Sequence, residues 1–128
     1  MIKLIIDAAK DKIFFMIIFK DINHYIIHEN TKMNFEKMIV LIEEFLLSRN
    51  MKINDISKIY VNRGPGSFAG IRNSLSITKA IHLVKKIDYY CYSFQDFEGI
   101  EEIKYENIPI LCDKFKIKKN LINPIYIS

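Results

Sequence analysis

Twelve residues constrain this chain more than any others: Val61-Asn-Arg-Gly-Pro-Gly-Ser-Phe-Ala-Gly-Ile-Arg72. Three of the four glycines (Gly64, Gly66, Gly70) and one of the three prolines (Pro65) fall in this stretch. Just before it, Ile56 to Val61 reads as a buried strand, with Ile56, Ile59, Tyr60 and Val61 supplying apolar, β-prone side chains. After it, Ile71, Leu75, Thr78 and His82 recur at helical spacing. Ser67 stands where an N-cap hydroxyl accepts from a free N–H of the first turn. The unit is strand, glycine-rich turn, helix, which can aim unpaired N–H groups and a helix N-terminus at an anion.

Motif logic leaves two readings of that turn. A Walker A loop needs Lys after its second glycine, and Gly70 is followed by Ile71. Gly64-x-Gly66-x-x-Ala69 satisfies the loose dinucleotide fingerprint, whose companion is an acidic residue closing the next strand. Here Asp88 precedes the predicted strand Tyr89–Tyr92 and Ser93 closes it, so the companion is missing. The turn is either a nucleotide cradle or a tight corner that lets the helix approach the sheet.

At 128 residues the chain makes one domain with room for a real core. Its longest apolar run, Ile13 to Phe19, falls far short of the roughly 20 residues of a membrane helix. Lys3, three apolar residues and then Asp7 do not form a secretory signal. Cys91 and Cys112 lack CxxC spacing, so buried, reduced thiols in a cytoplasmic protein are expected. Net charge is +4. Lys114, Lys116, Lys118 and Lys119 alternate with Phe115 and Ile117, which predicts a strand with one solvated face; an RNA-backbone patch is the alternative.

In chain order, Leu4–Ile6 makes a first strand ending at Asp7. Lys10-Asp11 and Lys20-Asp21 are turns around Ile13–Phe19 and Ile22–His28. The middle strand is apolar throughout and should be covered on both faces, whereas its neighbour carries Asn23, His24 and His28 and suits an edge. Met33 to Arg49 reads as an amphipathic helix, with Phe35, Met38, Ile39, Ile42, Phe45 and Leu46 on one stripe. Right-handed crossovers then predict five strands in the order 3-2-1-4-5, the second antiparallel to the rest. That is an α/β lobe of the ribonuclease H-like and actin-like layout, with two main helices. Residues 1–94 form the lobe. Residues 95–128 add a Ser93-x-x-Asp96 capped turn ending at Gly99, a short strand at Ile108–Cys112 and a last segment Ile125–Ile127.

Strands one and four lie side by side and parallel, so Asp7 and Arg63–Ser67 emerge at one sheet edge, where ligands of open α/β sheets bind. Asp7, Gly66 and Ser67 are therefore candidates for a vestigial phosphate site. No self-sufficient catalytic set accompanies them. His24 and His28 share a strand face about 13 Å apart, too far for one metal. Ser67 lacks a Gly-x-Ser-x-Gly context, and Glu43-Glu44 and Glu101-Glu102 diverge. No metal or cofactor is expected.

Arg63-Gly-Pro-Gly-Ser-Phe-Ala-Gly-Ile-Arg72 closely resembles the Gly-Pro-Gly-Ser-Phe-Thr-Gly-Leu-Arg signature of the TsaB (YeaZ) family. Ser74, Leu75, Ser76, Lys79 and Ala80 continue the pattern. Leu4-Ile5-Ile6-Asp7 is similar to that family's opening strand, and Pro124-Ile-Tyr-Ile127 to its terminal Pro-x-Tyr-Leu. The resemblance implies an actin-like (ASKHA) fold and a non-catalytic subunit for threonylcarbamoyladenosine at position 37 of tRNA. It implies pairing with a TsaD-type catalytic subunit, a homodimer in its absence, a TsaE-type ATPase in the larger assembly, and only indirect contact with tRNA. The pairing face would comprise Phe68, Ile71, Arg72, Ser74, Leu75, Thr78 and Lys79 on the second helix, with Met38 and Ile42 on the first; Gly70 and Ser74 would allow close helix approach. Two departures stand out: Asp7-Ala8-Ala9 replaces Asp-Thr-Ser, and few residues follow the first lobe. The chain is thus expected to be a shortened scaffold. The alternative is a small nucleotide-binding protein using Asp7 and the Gly64–Ser67 turn.

Overall fold

The computed structural model describes residues 1–126. Five strands, β1 (Ile2–Asp7), β2 (Lys12–Phe19), β3 (Ile22–Glu29), β4 (Ile56–Asn62) and β5 (Asp88–Tyr92), form one sheet in the order β3-β2-β1-β4-β5. β1 runs antiparallel to β2 and parallel to β4, and β4 runs parallel to β5. This is the predicted order and polarity. β2 is apolar because it packs on both sides; Phe15 and Ile17 are buried toward one face and Met16 toward the other. β3 alternates half-buried and exposed residues, as an edge strand does.

The helices are α1 (Lys32–Glu36), α2 (Met38–Leu47), α3 (Phe68–Lys85) and α4 (Ile108–Lys114). The predicted helix over 33–49 is thus two pieces. Thr31 caps α1 by accepting from the Asn34 N–H, and the backbone at Lys37 (φ −106°, ψ 24°) leaves helical geometry before α2 begins. Met38, Ile42, Phe45 and Leu46 of α2 join Ile71, Leu75 and Ile81 of α3 over one face of the sheet. α3 ends with Lys86 in the left-handed conformation and its N–H on the His82 carbonyl.

Beyond β5 two expectations fail. Ile108–Cys112 is helical, not extended: Pro109 sits in the first turn of α4, where its missing N–H costs nothing. Ile108, Leu111 and Cys112 then bury against Ile5, Tyr60, Tyr92 and Phe97 on the sheet's second face. The 114–119 lysines are not a strand either. Lys114 closes α4, Lys116 is left-handed (φ 55°), and a single bridge pairs Lys119 with Tyr90. The Ser93–Asp96 capped turn forms, but as a single 3-10 turn over Phe94–Asp96 that ends before Gly99. Both cysteines are buried and free. Of the predicted last segment, Ile125 and Tyr126 are irregular and Ile127 lies outside the described residues. Among the described residues no helix is long and apolar enough to cross a membrane.

Candidate functional site

β1 and β4 do deliver Asp7 and the glycine turn to the same sheet edge. The contact between them runs through the 8–9 backbone. The Ser67 N–H donates to the Ala9 carbonyl at 2.8 Å, and the Ser67 hydroxyl accepts from the Gly70 N–H at 3.2 Å. A Cβ at Gly66 would strike the Ala9 carbonyl oxygen, and one at Gly70 the Ala8 carbonyl oxygen. These glycines therefore bring the start of α3 against the end of β1, and Gly70 serves that approach, not a helix of another chain. The Asn62 side chain accepts from the Gly64 N–H at 2.9 Å, and Gly64 takes φ +109°, open to glycine.

Asp7 is 1% exposed. One carboxylate oxygen accepts from the Ala9 N–H at 3.1 Å and the other from the Tyr105 hydroxyl at 2.5 Å. The Tyr105 ring stacks on Phe14 at 4.1 Å, so a residue from the segment before α4 closes the sheet edge over Asp7. Burial, and then the nearby Asp7 carboxylate, push the Tyr105 phenol well above its usual range. Tyr92, fully buried with no partner for its hydroxyl among the described residues, is raised by the same two causes in the same order. The candidate phosphate residues are thus brought together, but their polar groups are turned to one another. Among the described residues no group of three His, Cys, Asp or Glu gathers that could hold a metal.

Arg63, the first residue of the motif turn, clamps the C-terminal segment. Its guanidinium bridges Asp96 (2.6 and 3.3 Å) and donates to the Asn123 carbonyl at 3.1 Å. The Ile125 N–H donates to the Arg63 carbonyl at 2.7 Å, and Tyr126 packs on Phe68 at 4.8 Å. Asp96 also accepts from the Ser93 N–H, so one carboxylate caps a turn and holds the motif arginine. The Ser93-x-x-Asp96 spacing was a signal for the first role. No local pattern signalled Tyr105, 98 residues from Asp7 in sequence.

The expected pairing face divides sharply. Met38, Ile42, Ile71, Ser74, Leu75 and Thr78 are buried in this chain's own core, so they face the sheet and not a partner. Ser74 and Thr78 spend their hydroxyls on backbone carbonyls one turn back. Phe68, Arg72 and Lys79 are exposed, and Arg72 makes no ion pair among the described residues. The outward surface of the helices is carried by Ile39 of the predicted stripe together with residues that the expected pairing face left out. Ile39, Ile53, Ile77, Ala80, Ile81 and Val84 line an almost wholly apolar groove of about 320 Å³ between α2 and α3.

The family model for TsaD, tRNA N6-adenosine threonylcarbamoyltransferase, matches residues 28–97, more than half of the chain. The tRNA threonylcarbamoyladenosine biosynthesis protein TsaB of Buchnera aphidicola subsp. Baizongia pistaciae is 31% identical over 67 residues, covering 45% of this chain and 30% of that protein. The chain belongs to the TsaD-like proteins, and within them to the TsaB (YeaZ) family. YeaZ from Pseudomonas aeruginosa superposes with a TM-score of 0.66 at 13% identity, over 72% of this chain and 43% of that one. RuvC of Thermus thermophilus superposes with a TM-score of 0.50 at 11% identity over 92% of this chain and 82% of that one. At those identities the two structures establish the fold alone: a ribonuclease H-like, ASKHA-type lobe. The match spans about a third of the length of the curated TsaB relative.

Proposed function

We propose that the chain is a non-catalytic partner subunit for threonylcarbamoyladenosine at position 37 of tRNA, and that it pairs with a TsaD-type subunit. Residues 1–94 supply the lobe, and Phe97, Ile108, Leu111 and Cys112 from the shorter second part, 95–128, cover its second face. The observation that carries the reading is the apolar groove between α2 and α3. Val84, 73% exposed, and Ala80 stand on its rim, and its near-absence of polar lining suits an apolar helix of another subunit. Pairing is preferred to nucleotide binding because both oxygens of Asp7 are already hydrogen-bonded inside the chain. A TsaE-type ATPase would join the pair, and a second copy would take the groove when the TsaD-type subunit is absent.

Size-exclusion chromatography with light scattering, on the chain alone and with its own organism's TsaD-type protein, tests the reading. A one-to-one complex lost in Val84→Glu and Ile77→Glu supports it. Two separate peaks with the unaltered chain would sink it.

A further inference from the structure

The end of the sheet opposite the glycine turn carries a row of lysines that the pairing face does not use. Lys3 of β1 is in register with Lys58 of β4, and Lys58 with Asp88 of β5. Beyond β5, Lys119 bridges Tyr90, which follows Asp88 by two residues and so lies on the same face one register pair further along. Paired positions on adjacent strands share a face at a spacing of about 5 Å, so Lys3 and Lys58 sit side by side, and Lys119, one strand beyond Asp88 and two residues further along, extends the patch to about 15 Å. Lys118 adjoins the line, and Lys86 lies two residues before Asp88. Among the described residues neither Lys3 nor Lys58 has a carboxylate within ion-pair distance. Lys119 reaches Asp88 only at 3.7 Å, with its side chain 60% exposed. The acids nearest the far end, Asp21 and Glu106, line a hollow with Lys3 and Lys20 without pairing to either. Two cations are thus held side by side and a third obliquely beyond them, and the one carboxylate among them, Asp88, already accepts from the Asn120 amide at 2.9 Å.

We propose that the Lys3–Lys58–Lys119 row holds the phosphate backbone of an RNA. The inference rests on the reading that tRNA is what the assembly modifies, and adds that this chain touches it directly. Phosphates, not bases, are the match. Tyr90 stacks on Tyr60 at 5.1 Å with the Lys58 ammonium 5.8 Å over its ring, so the nearest aromatic ring is already occupied. Such a row reads charge and spacing, so binding is independent of sequence and falls with salt.

The test is fluorescence anisotropy of a labelled, unmodified tRNA titrated with the isolated chain at several salt concentrations. The isolated chain is used so that failure to pair with a TsaD-type protein, which would overturn the proposed function, leaves this measurement intact. Lys3→Gln, Lys58→Gln and Lys119→Gln combined should weaken binding about tenfold and flatten the log–log salt dependence by about two, at roughly 0.7 per phosphate contact. Lys32→Gln, Lys37→Gln and Lys52→Gln combined, an equal charge change on the helix side, should weaken it less than about twofold. Equal losses in the two variants, or no saturable binding by the unaltered chain, would overturn the proposal. So would a row variant that loses anionic phosphatidylserine vesicles but keeps tRNA. Matching urea midpoints for both variants exclude unfolding as the cause.

Discussion

The Tyr105 hydroxyl donates to the Asp7 carboxylate at 2.5 Å, linking the end of the first strand to a segment 98 residues later. Asp7 has no cation within ion-pair distance among the described residues, so this bond and the Ala9 N–H carry its buried charge. Tyr105→Phe removes one of the two donors while keeping the ring on Phe14. A loss of about 1–3 kcal/mol is expected, read from the urea midpoint. Asp7→Asn combined with Tyr105→Phe should lose less than the two single losses added, because the partners no longer strand one another.

Gly66 and Gly70 of the motif are expected to tolerate alanine less well than Gly99, which lies outside it. Gly66→Ala and Gly70→Ala each drive a methyl into a backbone carbonyl at the end of β1. Each should destabilise by about 1–3 kcal/mol or more, since neither α3 nor β1 can retreat without losing its own packing. Gly99→Ala meets nothing within 4 Å and bears only the strain of φ +82°, about 1–2 kcal/mol. Thermal melts of the three variants give the ranking.

Arg63→Lys tests the clamp on the C-terminal segment. Lysine keeps the charge but cannot bridge both Asp96 oxygens and reach the Asn123 carbonyl as well. A loss of about 1–2 kcal/mol is expected for this partly buried pair. Limited proteolysis should then cut first between residues 120 and 126, leaving a stable product. Cleavage spread evenly over the chain would argue against a local clamp.

Core and rim positions on the helices should separate folding from pairing. Ile71→Asp and Leu75→Asp place a charge in the core and should abolish the cooperative melt, a loss of several kcal/mol. Val84→Glu, on the exposed rim, should keep its melt within about 0.5 kcal/mol and lose the complex. Circular dichroism and light scattering on the same samples distinguish the two outcomes.

Alkaline pH should unfold the chain from its thiols and phenols. Burial pushes the Cys91 and Cys112 thiols up from 9.0 to about 12. It raises the phenols of Tyr60, Tyr92 and Tyr105 as well. A folded-state pKa above the unfolded value means that the native state holds its proton longer. The stability is complete below about pH 9 and is lost as pH rises toward 12. Urea midpoints followed with tyrosinate absorbance should be flat near neutrality and fall above pH 9. Cys91→Ala with Cys112→Ala should shallow the fall without removing it.

Much of the lobe was legible because its signals are local. Apolar runs between Lys-Asp turns specify the three opening strands, and Ser67 with the spacing of Ile71, Leu75 and Thr78 specifies α3. Right-handed crossovers then leave one economical strand order. The misreading of Ile108–Cys112 has a local cause too: a short apolar run fits a strand and a buried helical turn equally, and Pro109 was the discriminating residue.

By itself, the sequence determined the sheet order, the motif turn, its cap and the family. It also determined that α2 and α3 carry apolar faces. What those faces touch was decided by tertiary structure alone: Ile71 and Leu75 meet the sheet, while Val84 and Ala80 line a groove open to solvent. The same holds for Tyr105 on Asp7, for Arg63 on the C-terminal segment, and for the gathering of Lys3, Lys58 and Lys119 on one face of the sheet. Periodicity records how often a side chain returns to one face of its own element. It carries no record of which distant segment occupies that face, because long-range contacts depend on how whole elements pack and not on local spacing.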